Sequence, residues 1–195
     1  LFPPNIINLI ENQQATEILV SQASIYPNGR MMPVIMKGIS PKQNIINLPT
    51  YSLEKQDESL IPVLIGRGMA NYSKLNIGDL FAIRWLDANK TYDANEGVIV
   101  HIMDTENFKV DMGQIWIPIE RIQTMLSMKG EASYVIYEKG LPILENTGEW
   151  ISRDVKYLIR DMEALIDADE PNAMVMYGII LSLAGKVKRP CLVSK

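Results

Sequence analysis

Between Ile61 and Pro118 the chain changes periodicity in a fixed order, and that order restricts the folds open to it. Val63-Leu64-Ile65 is a short, wholly apolar run of the kind that forms a buried strand. Gly66 and Gly68 flank Arg67, after which Met69, Ala70, Tyr72 and Leu75 recur at helical spacing up to Asn76. Gly78-Asp79 then turns the chain into a strand at Leu80 to Trp85, and Gln114 to Pro118 ends a later strand in a proline that suits the first turn of a helix. Strands of this length alternating irregularly with short helices predict an α+β domain: a mixed, mainly antiparallel sheet with flanking helices.

The rest of the chain extends this pattern. Pro3-Pro4 opens a short amphipathic helix carrying Ile6, Ile7, Leu9 and Ile10 and ending near Gln14. Glu17 to Tyr26 and Met31 to Ile39 form a hairpin around Pro27-Asn28-Gly29. Ser40-Pro41 breaks the second strand, and the polar stretch that follows, with Pro49 and the charges from Glu54 to Glu58, reads as a surface excursion. Asp87 to Gly97 reads as a long exposed loop between antiparallel strands Leu80 to Trp85 and Val98 to Met103. Phe108 to Val110 and Ser133 to Tyr137 are further short strands, and Ile119, Ile122, Met125 and Leu126 share one face of a helix launched by Pro118.

The carboxyl third changes character. Val155, Leu158, Ile159, Met162, Leu165 and Ile166 recur at three- and four-residue steps, opposite Asp154, Lys156, Arg160, Asp161 and Glu163. This is a long helix with Ser152 as its amino-terminal cap, broken at Asp169-Glu170-Pro171. The uncharged run Ala173 to Ala184 follows, then Lys186, Lys188 and Arg189. A twelve-residue helix rises about 18 Å, short of the roughly 20 residues that cross a bilayer. The run is either a buried core helix or the opening of a membrane helix. The chain divides on this reading into residues 1–150, a core domain with room for two subdomains, residues 151–185, a carboxyl-terminal helix leading toward a truncated membrane helix, and a tail at 186–195.

Chemistry is scarce. One His, His101, and one Cys, Cys191, leave no zinc-ligand spacing and no disulfide framework. His101 lies between Val100 and Ile102 on a strand, where alternation turns it to the solvated face. The carboxylate pairs Asp57-Glu58, Asp161-Glu163 and Asp167-Asp169-Glu170 lack a neighbouring His or nucleophile, and read as solvated charges. Gly66-Arg67-Gly68 lacks the Lys-Ser/Thr of a phosphate loop. Gly78 and Asp79 read as turn-makers, the glycine for its positive φ and the carboxylate for bonding nearby amides. A net charge of −4 gives no electrostatic drive toward nucleic acid. The residues assign no catalytic, cofactor-binding or metal site. No signal peptide opens the chain, because Asn5, Asn8, Glu11 and Asn12 interrupt its apolar residues.

Four segments, in order, resemble the extracytoplasmic core domain of ABC-transporter permeases of the MacB, LolC/LolE and FtsX superfamily. Gly29 to Pro41 resembles that family's hairpin strand ending in Gly-Ile-x-Pro, and Val63 to Ala70 its Ile-Gly-x-x-Leu-Ala step. Leu75-Asn76-Ile77-Gly78-Asp79 is similar to its Leu-x-Val-Gly-Asp turn, and Gln114 to Gln123 to its strand-Pro-Leu-x-x-x-Gln helix entry. The likeness spans residues 29–138 and, with the helix from Ser152 and the run from Met174, reaches Ala184. Where relatives carry a Gly-rich return, this chain has His101-Ile102-Met103-Asp104-Thr105, while Asp111 fits the acidic position.

The resemblance implies a non-enzymatic permease domain on the extracytoplasmic, periplasmic side of the inner membrane. ATP is hydrolysed on a separate ATP-binding subunit, the permease forms a homodimer or heterodimer, and the domain couples membrane-helix motion to export or release of a lipoprotein, lipid or peptide. A lipoprotein or a periplasmic accessory protein is the implied outside partner; nucleic acid is not. The helix from Ser152 to Ile166 is the expected lever. Loops Ser52 to Ser59 and Asp87 to Gly97 are the candidate contact surfaces. The alternative is a free-standing, β-rich module that binds a ligand or protein.

Overall fold

A computed structural model describes residues 2–54, 59–105, 111–138, 141, 150–153 and 157. The chain forms two compact units, Leu1–Leu141 and Pro142–Lys195. In the first, helix α1 (Pro4–Glu11) is followed by β1 (Ala15–Tyr26), β2 (Met32–Ile39), β3 (Ile61–Gly66), α2 (Arg67–Ser73), β4 (Leu80–Leu86), β5 (Tyr92–Met103), β6 (Gln114–Pro118), α3 (Ile119–Met125) and β7 (Tyr134–Tyr137). Of the second unit, Trp150 to Arg153 precede a helical Tyr157, over whose ring the Arg153 guanidinium lies at 4.1 Å. The long helix expected from Ser152 and the apolar run at Ala173 to Ala184 otherwise fall outside the described residues, as do the strand expected at Phe108 to Val110 and residues 55–58.

The fold class is α+β with a mixed sheet, as the pattern of elements required. The strands pair in the order β2-β6-β3-β5-β4-β1-β7, and β2 also pairs with β1. That extra pairing joins the first strand of the series to the sixth, so β2, β6, β3, β5, β4 and β1 close on themselves as a barrel, with β7 added along the first residues of β1. Within the ring each strand has a partner on both sides, and β7, paired with β1 alone, is the edge strand. The β2–β6 and β3–β5 pairings are parallel and the others antiparallel.

Alternation explains why the barrel is solid. In β4, buried Phe81, Ile83 and Trp85 point inward between exposed Leu80, Ala82, Arg84 and Leu86. Leu19, Ala23 and Ile25 of β1, Val34 and Met36 of β2, and Ile61, Val63 and Ile65 of β3 join them in one core. β3 is buried along its whole length, which is why it reads as a continuous apolar run. A register shift between Val63 and Leu64 pairs Val63 with Ile99 but Leu64 with His101, leaving Val100 as the extra residue of a bulge.

The two later helices close opposite ends. α2 leaves the end of β3 and α3 leaves the end of β6, and these strands run antiparallel. Met69, Ala70 and Leu75 enter the core from one end, and Ile119, Ile122 and Leu126 from the other. Gly38 permits the second closure: a Cβ there would lie 2.1 Å from Ile122 Cγ2 and 3.3 Å from Ile119 Cα. Trp85 fixes the same end by donating from Nε1 to the Met125 carbonyl at 2.8 Å.

Two expectations need correction. Residues 40–53 are not merely a surface excursion. Leu53 is buried, and Ile46 and Leu48 pack with it against the outward-facing Ile18, Ile39, Leu64, Met103 and Trp116. Thr50 is buried too, with its Oγ1 donating to the Pro41 carbonyl at 3.1 Å, so the polar composition of this stretch serves its own internal bonding. Nor is Asp87 to Gly97 a loop. β5 begins at Tyr92, and Leu86 pairs with Tyr92, leaving Asp87 to Thr91 as a tight turn. The Asp87 carboxylate accepts from the Thr91 amide at 2.7 Å, and Lys90 takes φ 62°.

Candidate functional site

The Leu75 to Asp79 segment behaves as the turn-makers required. Lys74, in the left-handed region, ends α2. Gly78 has φ +91°, a conformation that costs other residues about 1–2 kcal/mol. The Asp79 carboxylate accepts from the Asn76 amide at 2.8 Å, and the Gly78 amide donates to the carbonyl of buried Ile99 at 2.8 Å. The turn is therefore bolted to the central strand β5, and both residues are structural.

At the end of β3, Gly66-Arg67-Gly68 forms a corner against Asp111. A Cβ on Gly66 would approach the Asp111 carbonyl oxygen at 2.5 Å, and one on Gly68 its Oδ2 at 2.1 Å, so both glycines are required by close approach. The Asp111 carboxylate accepts from the Gly68 amide at 2.8 Å. An internal carboxylate thus occupies the amide that a phosphate loop would aim at an anion. Arg67 forms a two-pronged ion pair with Asp104, its second nitrogen donating to Oδ2 at 2.9 Å. The hydrogen bond from Arg67 holds the Asp104 carboxyl below its ordinary 3.8. The sequence marked Asp111 but did not link it to the two glycines.

His101 lies on the outer face of β5 beside Leu64, half-buried, as alternation across the bulge dictates. No set of three or more His, Cys, Asp or Glu side chains among the described residues is placed to hold a metal ion. Asp57-Glu58 and the carboxylates beyond Asp154 lie outside the described residues. On the covered flank, Lys37 sits 5.0 Å above the Trp116 ring, and burial there lowers its pKa.

On the opposite flank no described segment packs over the sheet. Across the outer faces of β2, β1 and β4, and the start of β5, runs an open groove of about 650 Å3. Its floor carries Gln22, Ser24 and Tyr26 of β1. One wall is Met31, Pro33 and Ile35; the other is Leu86 and Tyr92, with Arg84 between. Met31 and Tyr92 are 60% and 65% exposed, so these large apolar groups remain in water. The Arg84 guanidinium lies 4.3 Å from the Tyr92 ring centroid.

Of the two loops expected as contact surfaces, Ser52 turns inward to donate to the Pro49 carbonyl at 2.7 Å, while Tyr51 is exposed. Tyr92, from the other segment, contributes to the groove as a strand residue. Sequence reasoning missed the groove because its residues come from strands far apart in the chain. The one legible signal was exposed-face apolar character in β4, where Leu80 and Leu86 occupy alternate positions that solvent-facing strands usually give to polar residues.

Among the described residues no helix is long and apolar enough to cross a membrane. A scan against protein-family models finds no match, and a search of curated proteins finds none either. Among solved structures, the chain is similar to the crystal structure of the extracellular domain of the noncanonic ABC-type transporter YknZ from Gram-positive bacteria. The two share 12% sequence identity at a TM-score of 0.43, over 69% of this chain and 71% of that one. A likeness this loose carries no residue-by-residue correspondence.

Proposed function

We propose that this chain is the extracytoplasmic domain of an ABC-transporter permease of the MacB, LolC/LolE and FtsX superfamily. The observation that carries the reading is where its family-like segments fall. Val63 to Ala70 is the passage from β3 into α2, Leu75 to Asp79 the turn from α2 into β4, and Gln114 to Gln123 the passage from β6 into α3. Gly29 to Pro41 is the hairpin strand that meets β6 in parallel. These segments are joints of the fold, fixed by Gly38, Gly66, Gly68, Gly78 and Asp111, so they belong together for a physical reason.

The body so made suits coupling. A ring of strands bonded on both sides and plugged at both ends deforms little, and transmits a displacement applied to it. On this reading ATP is hydrolysed by a separate subunit, the permease is dimeric, and the domain itself carries no catalysis. The segment from Ser152 to Ile166, which its periodicity predicts to be helical, is on this reading the lever that passes on membrane-helix motion. The cargo is a lipoprotein, lipid or peptide on the outer side of the cytoplasmic membrane.

The test is topological. In the full-length parent protein with Cys191 replaced by Ser, a cysteine at Leu86 is expected to react with a membrane-impermeant maleimide in intact spheroplasts. Reaction only after lysis would overturn the proposal. A second reading, a free-standing β-rich binding module, is favoured by the bare groove. A parent gene encoding about 18 or more apolar residues from Met174, and another such span before Leu1, separates the first reading from the second.

A further inference from the structure

We propose that the groove across β2, β1 and β4 binds an extended segment of a partner protein, with apolar side chains at alternate positions and one carboxylate set against Arg84. The inference stands on the groove itself, and holds whether or not the domain belongs to a transporter.

Charge selects the first feature of the ligand. The chain carries 23 Asp and Glu against 19 Lys and Arg, yet among the described residues the groove lining has Arg84 and no acid. Arg84 has no carboxylate partner among the described residues; its guanidinium meets only the Tyr92 ring. The register places Glu96 opposite Ala82, two positions along from the Arg84 pair with Ala94, and outside the groove lining. A cation left beside an aromatic ring, with donors free for a planar acceptor, fits an acidic side chain or a terminal carboxylate.

The floor selects the second feature. The Gln22 amide, the Ser24 hydroxyl and the Tyr26 hydroxyl line the groove with no protein hydrogen-bond partner among the described residues. A hydrocarbon chain laid over them would strip their water and give no hydrogen bond back. A peptide backbone supplies donors and acceptors along its length, and its side chains alternate toward the two apolar walls. Met31 on one wall adds an adaptable thioether, a side chain that accommodates varied apolar partners. The same polar floor therefore favours a peptide over a lipid.

The experiment uses the whole 195-residue chain. It is immobilised and offered a random library of peptides of about nine residues, about 30 Å long when extended at about 3.3 Å per residue. The expected result is enrichment of peptides with apolar residues at alternate positions and an acid. Their affinity should fall about tenfold or more in Arg84→Gln and in Leu86→Asp, both exposed sites whose thermal unfolding should match the parent. Exchanging the peptide acid for its amide should weaken binding to the parent by a similar factor and leave binding to Arg84→Gln unchanged. No enrichment, or enriched peptides that bind the parent and both variants alike, overturns the proposal. So does binding to phosphatidylglycerol vesicles that Arg84→Gln abolishes, in the absence of peptide binding.

Discussion

Substituting Gly38 by alanine tests how the barrel is closed. In β2 this residue faces the core between Met36 and the end of the strand, and α3 packs directly over it. The added methyl would lie 2.1 Å from Ile122 Cγ2, 3.2 Å from Ile122 Cβ and 3.3 Å from Ile119 Cα. Ile122 is fully buried, so its branched side chain has nowhere to rotate, and relief requires α3 to move outward. Overpacking of this kind costs about 1–3 kcal/mol. Removing a strand glycine returns about 0.5–1 kcal/mol of backbone entropy, too little to offset it. An overlap as close as 2.1 Å sits in the upper part of the overpacking range, about 2–3 kcal/mol, so a net loss of about 1–2.5 kcal/mol should lower the melting temperature by about 2–10 °C in a domain of this size.

The assay is urea unfolding, supplemented by a double-mutant cycle with Ile122→Leu, which moves the branch away from Cβ. The pair should be more stable than the sum of its single effects predicts, by about 0.5–1.5 kcal/mol, because the second substitution vacates the space that the first requires. Additive effects, or a Gly38→Ala variant as stable as the parent, would refute the packing described for α3.

Gly78→Ala meets no neighbour within 4 Å, so its cost is conformational alone, about 1–2 kcal/mol in urea unfolding, with the fold retained. The Asp104 carboxyl, followed by NMR, should titrate below 3.8 in the parent and return toward that value in Arg67→Gln. Its folded-state pKa is depressed, so the ion pair's contribution is present above pH 3.8 and is lost as pH falls through the lower, folded value.

The sequence carried local structure well and long-range closure poorly, for reasons visible in particular residues. Pro27-Asn28-Gly29 and Gly78-Asp79 declare turns because backbone sterics act over a few residues. The apolar run Val63 to Ile65 declares a buried strand because both of its faces are covered. Nothing local announces that β1 pairs with β4 as well as β2, since those partners lie about sixty residues apart in the chain. The start of β5 reads as a loop because Asp93 and Asn95 favour turns. There the hairpin is exposed, so no apolar alternation is needed, and both side chains accept bonds from the next amide at 2.8 Å. Residues 40–53 read as surface because their polar groups bond to one another while three side chains, Ile46, Leu48 and Leu53, cover the second cluster. The groove stayed hidden for the same reason as the barrel: its walls come from separate strands.

The most direct test of the proposed role is purification of the full-length parent protein from detergent-solubilised membranes, by a tag on this domain. The account predicts a membrane-bound product that co-purifies with a separate nucleotide-binding subunit and its ATPase activity. Recovery of the product from the soluble fraction, with no such subunit attached, would contradict it.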